Sequence, residues 1–157
     1  MVMSYRGVRA EADPKSRLQD IQIREHMTPI KKLITFRQDQ KVEDVMSTLI
    51  NKKISGGPVV DENGKLVGLI SEGDCLKEVV RGKYYNTPKD SGTVSDHMAI
   101  NVITVSPDKD IFEVARMFLE LKFRRFPVIE DGKLVGQVSQ SNIMQAVLGL
   151  KEEDWRR

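Results

Sequence analysis

Two ten-residue stretches, KLVGLISEGD at 65–74 and KLVGQVSQSN at 133–142, end in the side chains best equipped for chemistry. In each, a serine (Ser71 or Ser139) closes an apolar run with strand character, and an acceptor oxygen (Asp74 or Asn142) follows three residues later where a helical pattern begins. Free backbone N–H groups at such a helix start favour an anion. Asp74 can accept two hydroxyl hydrogen bonds there, made stronger by its charge, or it can cap the helix. Asn142 keeps one acceptor and loses the charge, and Ser141 adds a further hydroxyl. A second polar group is Arg124-Arg125 in KFRRFPV. Two guanidiniums bordered by Phe123 and Phe126 offer planar forks for phosphate oxygens, with surface ion pairing as the competing use. Strand alternation sends neighbours to opposite faces, so one arginine of the two would face a given site.

Other reactive side chains fall into no catalytic set. His26 and His97 each precede a methionine, in HMT and HMA, and this repeated position argues for a structural role over metal binding. No carboxylate stands beside them at ligand spacing, and no nucleophile, base and orienting group can be assembled, so a non-enzyme is expected. Cys75 is the single cysteine, which excludes an internal disulfide and a zinc cluster and suits a reducing compartment. It follows Asp74 in a helical stretch and fits a packed small side chain. The charge balance of 25 basic against 23 acidic residues, +2, is spread along the chain and argues against a nucleic-acid partner. No window approaches the roughly 18 apolar residues of a membrane helix, and the opening residues carry no secretory pattern. A soluble, cytoplasmic protein without a membrane partner is the expectation. Trp155, set among charges in KEEDWRR, is a candidate association anchor.

The elements that must hold these residues are duplicated. A shift of 69 lays Leu33-Ile34-Thr35 on Val102-Ile103-Thr104, Val45 on Val114, Lys53 on Lys122, and Pro58-Val59 on Pro127-Val128. One residue is then lost in a turn, and at a shift of 68 six of the eight positions from 64 to 71 are identical. Val42, Val45, Met46, Leu49 and Ile50 form a helical stripe that Ile111, Val114, Ala115, Phe118 and Leu119 reproduce, with Asp39 and Asp108 placed to cap these helices. Asn63-Gly64 and Asp131-Gly132 mark hairpin turns between two short strands. Second helices follow, near Asp74 to Arg81 and Asn142 to Leu148. Each unit thus runs strand, helix, strand, strand, helix, an α/β (α+β) arrangement in which a lone copy is marginal and two should pack. The division is an extension at 1–22, repeat 1 at 23–81, a turn-rich linker at 82–92, repeat 2 at 93–148 and a tail at 149–157.

The HMT and HMA openings, the PVV and PVI strands, and GLISEGD with GQVSQSN together resemble the CBS domain, and the tandem resembles the CBS pair, or Bateman module. The resemblance covers nearly the whole chain, from Ile23 to Leu148. It implies a pseudo-twofold pair of repeats with clefts between them, often occupied by adenosine-containing ligands, and a disc-shaped homodimer. By that resemblance, Asp74 would hold a ribose diol beside Ser71. Ile34, Thr35, Gly57, Pro58 and Val59 would line an adenine pocket near Ser55, with Ile34 and Val59 serving equally as core residues. Many members place a base before the aspartate, whereas this chain has Gly73. Phosphate neutralisation would then fall to Arg124 and Arg125, and Ser139, Ser141 and Asn142 would form a weaker second site. The implied function is a regulatory sensor with no obligatory cofactor, binding AMP, ADP, ATP or a related adenosyl compound such as NAD or S-adenosylmethionine and acting on another protein. The competing reading is an interaction or dimerisation module with no small ligand.

Overall fold

The computed structural model describes residues 2–4, 21–85 and 92–155. In chain order the elements are β1 (Val2–Ser4), β2 (Thr28–Pro29), α1 (Val42–Lys52), β3 (Gly56–Val60), β4 (Leu66–Ser71), α2 (Glu72–Tyr85), α3 (Val94–His97), β5 (Val102–Thr104), α4 (Ile111–Leu121), β6 (Arg125–Glu130), β7 (Lys133–Ser139) and α5 (Gln140–Trp155). Residues 86–91 of the expected linker lie outside the described residues, as does the Trp155 side chain, and residues 82–85 extend α2. The chain divides into two compact units. Of the described residues, 2–3 and 34–102 form the first, while 4, 21–33 and those from 103 onward form the second.

In the first unit, β3 and β4 form an antiparallel hairpin whose register pairs Gly57 with Ile70 and Gly56 with Ser71. Cross-strand partners share a face, so Val59 and Ile70 point into the core with Phe36, Val42, Val45, Leu49, Cys75 and Val94. The expected first strand at Ile34-Thr35 is reduced here to one parallel bridge, Phe36 to Val59. Phe36 N–H donates to the Pro58 carbonyl at 2.9 Å and the Phe36 carbonyl accepts from Val60 at 2.9 Å. A β-carbon on Gly57 would lie 2.9 Å from both the Ile34 carbonyl oxygen and the Phe36 ring. Glycine is therefore required for Phe36 to fill the core.

The second unit repeats the hairpin with β6 and β7, joined by Asp131-Gly132, both at positive φ as a tight two-residue turn needs. Its core gathers Val105, Ile111, Val114, Met117, Phe118, Phe126, Val128 and Val138. Phe126 occupies the position of Gly57 and Val105 that of Phe36, so the large ring has moved one strand over. It stacks on Phe118 with ring centroids 4.5 Å apart.

Each hairpin also receives the opening segment of the other sequence copy. Thr28 pairs with Gln137 in the second unit, and Ala99 pairs with Leu69 in the first. A β-carbon on Gly136 would sit 2.5 Å from the Thr28 carbonyl and 2.9 Å from the Met27 sulfur. One on Gly68 would sit 2.7 Å from the Ala99 carbonyl and 2.8 Å from the Met98 sulfur. The recurring HM and LVG phrases are thus two halves of one contact: methionine over glycine, made twice. It follows that residues 23–33, assigned to repeat 1 by sequence order, fold with the second unit.

Two expectations about the first helices are corrected. Asp39 and Asp108 do not cap them. The N-cap of α4 is Asp110, whose side chain accepts from Phe112 N–H at 2.7 Å, and that of α1 is Lys41. Asp108 instead pairs with Arg24 at 2.8 Å, and the same guanidinium bonds Glu130. The apolar stripes are also narrower than the pattern implies, because Ile50 and Leu119 are 76% and 80% exposed.

Candidate functional site

Ser71 ends β4 and Asp74 lies in the first turn of α2. Asp74 is buried, at 8% exposure, and its Oδ2 accepts from Ser71 N–H at 2.9 Å and from Ser71 Oγ at 3.0 Å. Ser71 Oγ in turn accepts from Asp74 N–H at 3.4 Å. This reciprocal arrangement is a capping box, which satisfies backbone donors at the helix start. Both uses weighed for Asp74 therefore bear on different atoms: Oδ2 caps, while Oδ1 is left for other partners. Lys77, one turn along α2, places its Nζ 3.3 Å from Oδ1. Sequence reading missed Lys77, although the Asp-x-x-Lys spacing that puts two side chains on one helix face was legible.

The second unit builds the same box with a neutral side chain. Asn142 Oδ1 accepts from Ser139 N–H at 2.8 Å and Ser139 Oγ at 3.0 Å, and Asn142 N–H donates to Ser139 Oγ at 3.2 Å. Gln145 stands where the first unit has Lys77. Asp74 and Asn142 make the same capping bonds, so the divergence shows most plainly at the remaining atom, which in Asp74 meets Lys77.

The other expected site residues fall into the two units separately. In the first, the Ser55 carbonyl accepts from Glu72 N–H at 2.9 Å, which brings Ser55 to the start of α2 beside Gly56 and Ser71. Ile34 packs partly buried against the core, Thr35 is half-buried, and Pro58 is buried on the face opposite Val59. Gly57 and Val59 face the core, so their contribution to any pocket is through backbone atoms. In the second unit, Arg125 is paired with Ser139 across the hairpin and shares its face, whereas Phe126 points to the core and Arg124 precedes the strand, exposed. Arg125 is thus the arginine that alternation directs toward the polar loop. Gln140 Nε2 donates to the Phe123 carbonyl at 3.2 Å, tying this arginine segment to the start of α5, and Ser141 is exposed.

Next to the first loop, α2 carries a half-buried ionic cluster. Glu78 accepts from Arg81 at 2.9 and 3.0 Å and bonds the His97 ring. The Arg81 guanidinium holds the Glu78 carboxyl below its ordinary range against the opposing effect of burial, and His97 adds to the lowering. His26 occupies the equivalent place in its own opening, but the counterpart of Glu78 is Ala146, so the histidines share a position and not a partner. Burial, with Asp74 and Glu72 nearby, pushes the Cys75 thiol up, which keeps it protonated and unreactive. Among the described residues no group of three or more His, Cys, Asp or Glu could hold a metal ion, and no helix is long and apolar enough to cross a membrane.

The sequence model of the CBS domain matches residues 22–81 and 94–149. CBSX2, a chloroplastic CBS domain-containing protein of Arabidopsis thaliana, is 32% identical over 151 residues, covering 81% of this chain and 63% of that protein. The chain thus spans a little under two thirds of that relative. The crystal structure of CBSX2 in complex with AMP superposes with a TM-score of 0.73 at 33% identity, covering 83% of this chain and 98% of the other. The CBS domain pair of protein MJ0100, crystallised with 5′-methylthioadenosine and S-adenosyl-L-methionine, gives a TM-score of 0.68 at 28% identity over 82% of this chain and 97% of that one. The inosine-5′-monophosphate dehydrogenase of Aquifex aeolicus is 28% identical over 71% of this chain but only 22% of its own length.

Proposed function

The chain belongs to the CBS domain family, and from that premise we propose that it is a non-enzymatic regulatory protein that binds an adenosyl ligand at the Ser71–Asp74 loop of its first unit. One observation carries the reading: Asp74 is buried, fixed by its capping box, and left with Oδ1 directed away from that box. A carboxylate so held is already oriented to accept from a ribose hydroxyl, and it costs no rotamer ordering when the ligand arrives. AMP in the CBSX2 structure and the two adenosyl compounds in the MJ0100 structure support the ligand class. On this reading the module senses cellular energy state through an adenine nucleotide and acts on a separate protein, in a reducing compartment such as the cytoplasm, where a lone protonated Cys75 is at home.

A specific observation also favours association. Ile50, Leu76 and Val80 are exposed in the first unit, and their counterparts Leu119, Met144 and Leu148 are exposed in the second. Large apolar side chains repeated on helices of both units suit a homodimer, in which each half of one chain meets a half of another. Combined Leu76→Asp and Met144→Asp substitutions are expected to shift the sedimentation coefficient to that of a monomer.

The ligand reading is tested by titration calorimetry of the full chain with AMP and ATP, comparing the wild type with Asp74→Asn. This variant keeps the capping box, as Asn142 does, and removes only the charge and one acceptor. Binding at one dominant site that is lost in Asp74→Asn is the expected result, and unchanged affinity sinks the assignment. A ligand at 100 times its Kd should add about 2.7 kcal/mol of stability, so melting curves with AMP, ADP, ATP, NAD and S-adenosylmethionine provide the wider screen.

A further inference from the structure

Resting on the adenosyl reading above, we propose that Lys77 makes the first unit selective for ligands that carry a phosphate on the 5′ carbon over those with a neutral or cationic 5′ group. The capping box occupies Asp74 Oδ2 with two hydrogen bonds, so a ligand hydroxyl must use Oδ1, and Lys77 already stands 3.3 Å from that atom. Any ligand that engages Asp74 therefore meets Lys77. The pair is longer than the roughly 2.7–2.9 Å of a strong charge-assisted bond. Lys77 is also 67% exposed against 12% for Asp74, so the ammonium is the partner free to leave. Its flexible stem lets it follow a new anion without disturbing the helix.

A phosphate takes the ammonium as the ribose takes Oδ1, and both charges stay compensated. A thioether at the 5′ carbon leaves Lys77 without an anion, and a sulfonium adds a like charge. Gly73, preceding Asp74, supplies no cation of its own, which leaves Lys77 as the basic side chain bonded to this carboxylate. The second unit shows the same positions with both charges removed together: Asn142 for Asp74 and Gln145 for Lys77, around an unchanged box. Were Lys77 only a surface partner of Asp74, its loss would alter all ligands alike through Asp74. As a phosphate contact, it alters one class.

The test titrates AMP and 5′-methylthioadenosine into the full chain, wild type, Lys77→Gln and Lys77→Arg, with a thermal melt to show that each variant is folded. The expected result is that Lys77→Gln weakens AMP about tenfold, leaves 5′-methylthioadenosine within about twofold or tightens it, and that Lys77→Arg retains AMP, as a charge-assisted phosphate contact requires. Equal weakening of both ligands in Lys77→Gln, or no weakening of AMP, overturns the selectivity while leaving adenosyl binding in place. A wild type that binds neither compound removes the adenosyl reading and this inference together.

Discussion

The two units differ in their cores and in their polar loops, and the differences are of opposite kinds. In the core, volume has moved without being lost: Phe36 against Gly57 in the first unit becomes Val105 and Phe126 in the second. At the loops shape is kept and charge is lost: Asp74 with Lys77 becomes Asn142 with Gln145 around the same three hydrogen bonds. Close packing enforces the first kind, because an unfilled or overfilled core is penalised wherever the missing or extra ring sits. Nothing in the fold enforces the second. Asp and Asn build the same box here, and the first loop adds to it the Asp74–Lys77 pair, which the second loop lacks.

The core side of this comparison yields the largest expected effect. Gly57→Phe alone should destabilise by about 3 kcal/mol through overpacking, and Phe36→Val alone by about 2 kcal/mol through the cavity it leaves. The double variant, which writes the second unit's arrangement into the first, should recover at least half of the summed loss in urea unfolding. Additive losses would show that the two positions do not share one volume. A smaller effect separates capping from charge: Asp74→Ala should cost about 1 kcal/mol, while Asp74→Asn, without ligand, should be close to neutral. A matching Asn142→Asp should likewise leave the second unit's stability unchanged, and a loss there would mean that the neutral amide is needed for folding.

The smallest effect is one of pH, at Glu78 of the first unit. Glu78 is held below its ordinary value of 4.5 chiefly by Arg81. Its contribution is therefore complete above that value and is lost as the pH falls through the lower, folded one. Denaturant midpoints measured between neutral pH and pH values below 4.5 should fall more steeply for the wild type than for Glu78→Gln. Equal slopes would show that the cluster with Arg81 and His97 contributes nothing through ionisation.

Much of this was legible before any coordinates. The duplicated phrase located both hairpins, and the turn residues at Asp131-Gly132 appear with the positive φ that their types predict. Ser71, Asp74, Ser139 and Asn142 were singled out by their position at a strand end, and they are the residues that the fold brings together in each loop. Strand alternation predicts that the two arginines do not share a face, and the register pairs Arg125 with Ser139 while Arg124 precedes the strand. Helix caps were misplaced because carboxylates recur at short intervals around each helix start. Asp108 and Asp110 are both plausible by type, and only the bond from Phe112 N–H distinguishes them. Ile50 and Leu119 were counted with the core because periodicity reports the face of a helix and not how far its partner extends.

What the sequence determined by itself is everything written twice: the family, the order of elements, the hairpins and the paired polar loops. These depend on local periodicity and turn chemistry, which short windows encode. What only the tertiary structure decided is how distant residues divide the work. That Met27 covers Gly136 and Met98 covers Gly68, and that Phe36 excludes a side chain from residue 57, depend on atoms brought within a few ångströms by packing. No spacing along the chain records such contacts, because they are fixed by the shape of the space between elements.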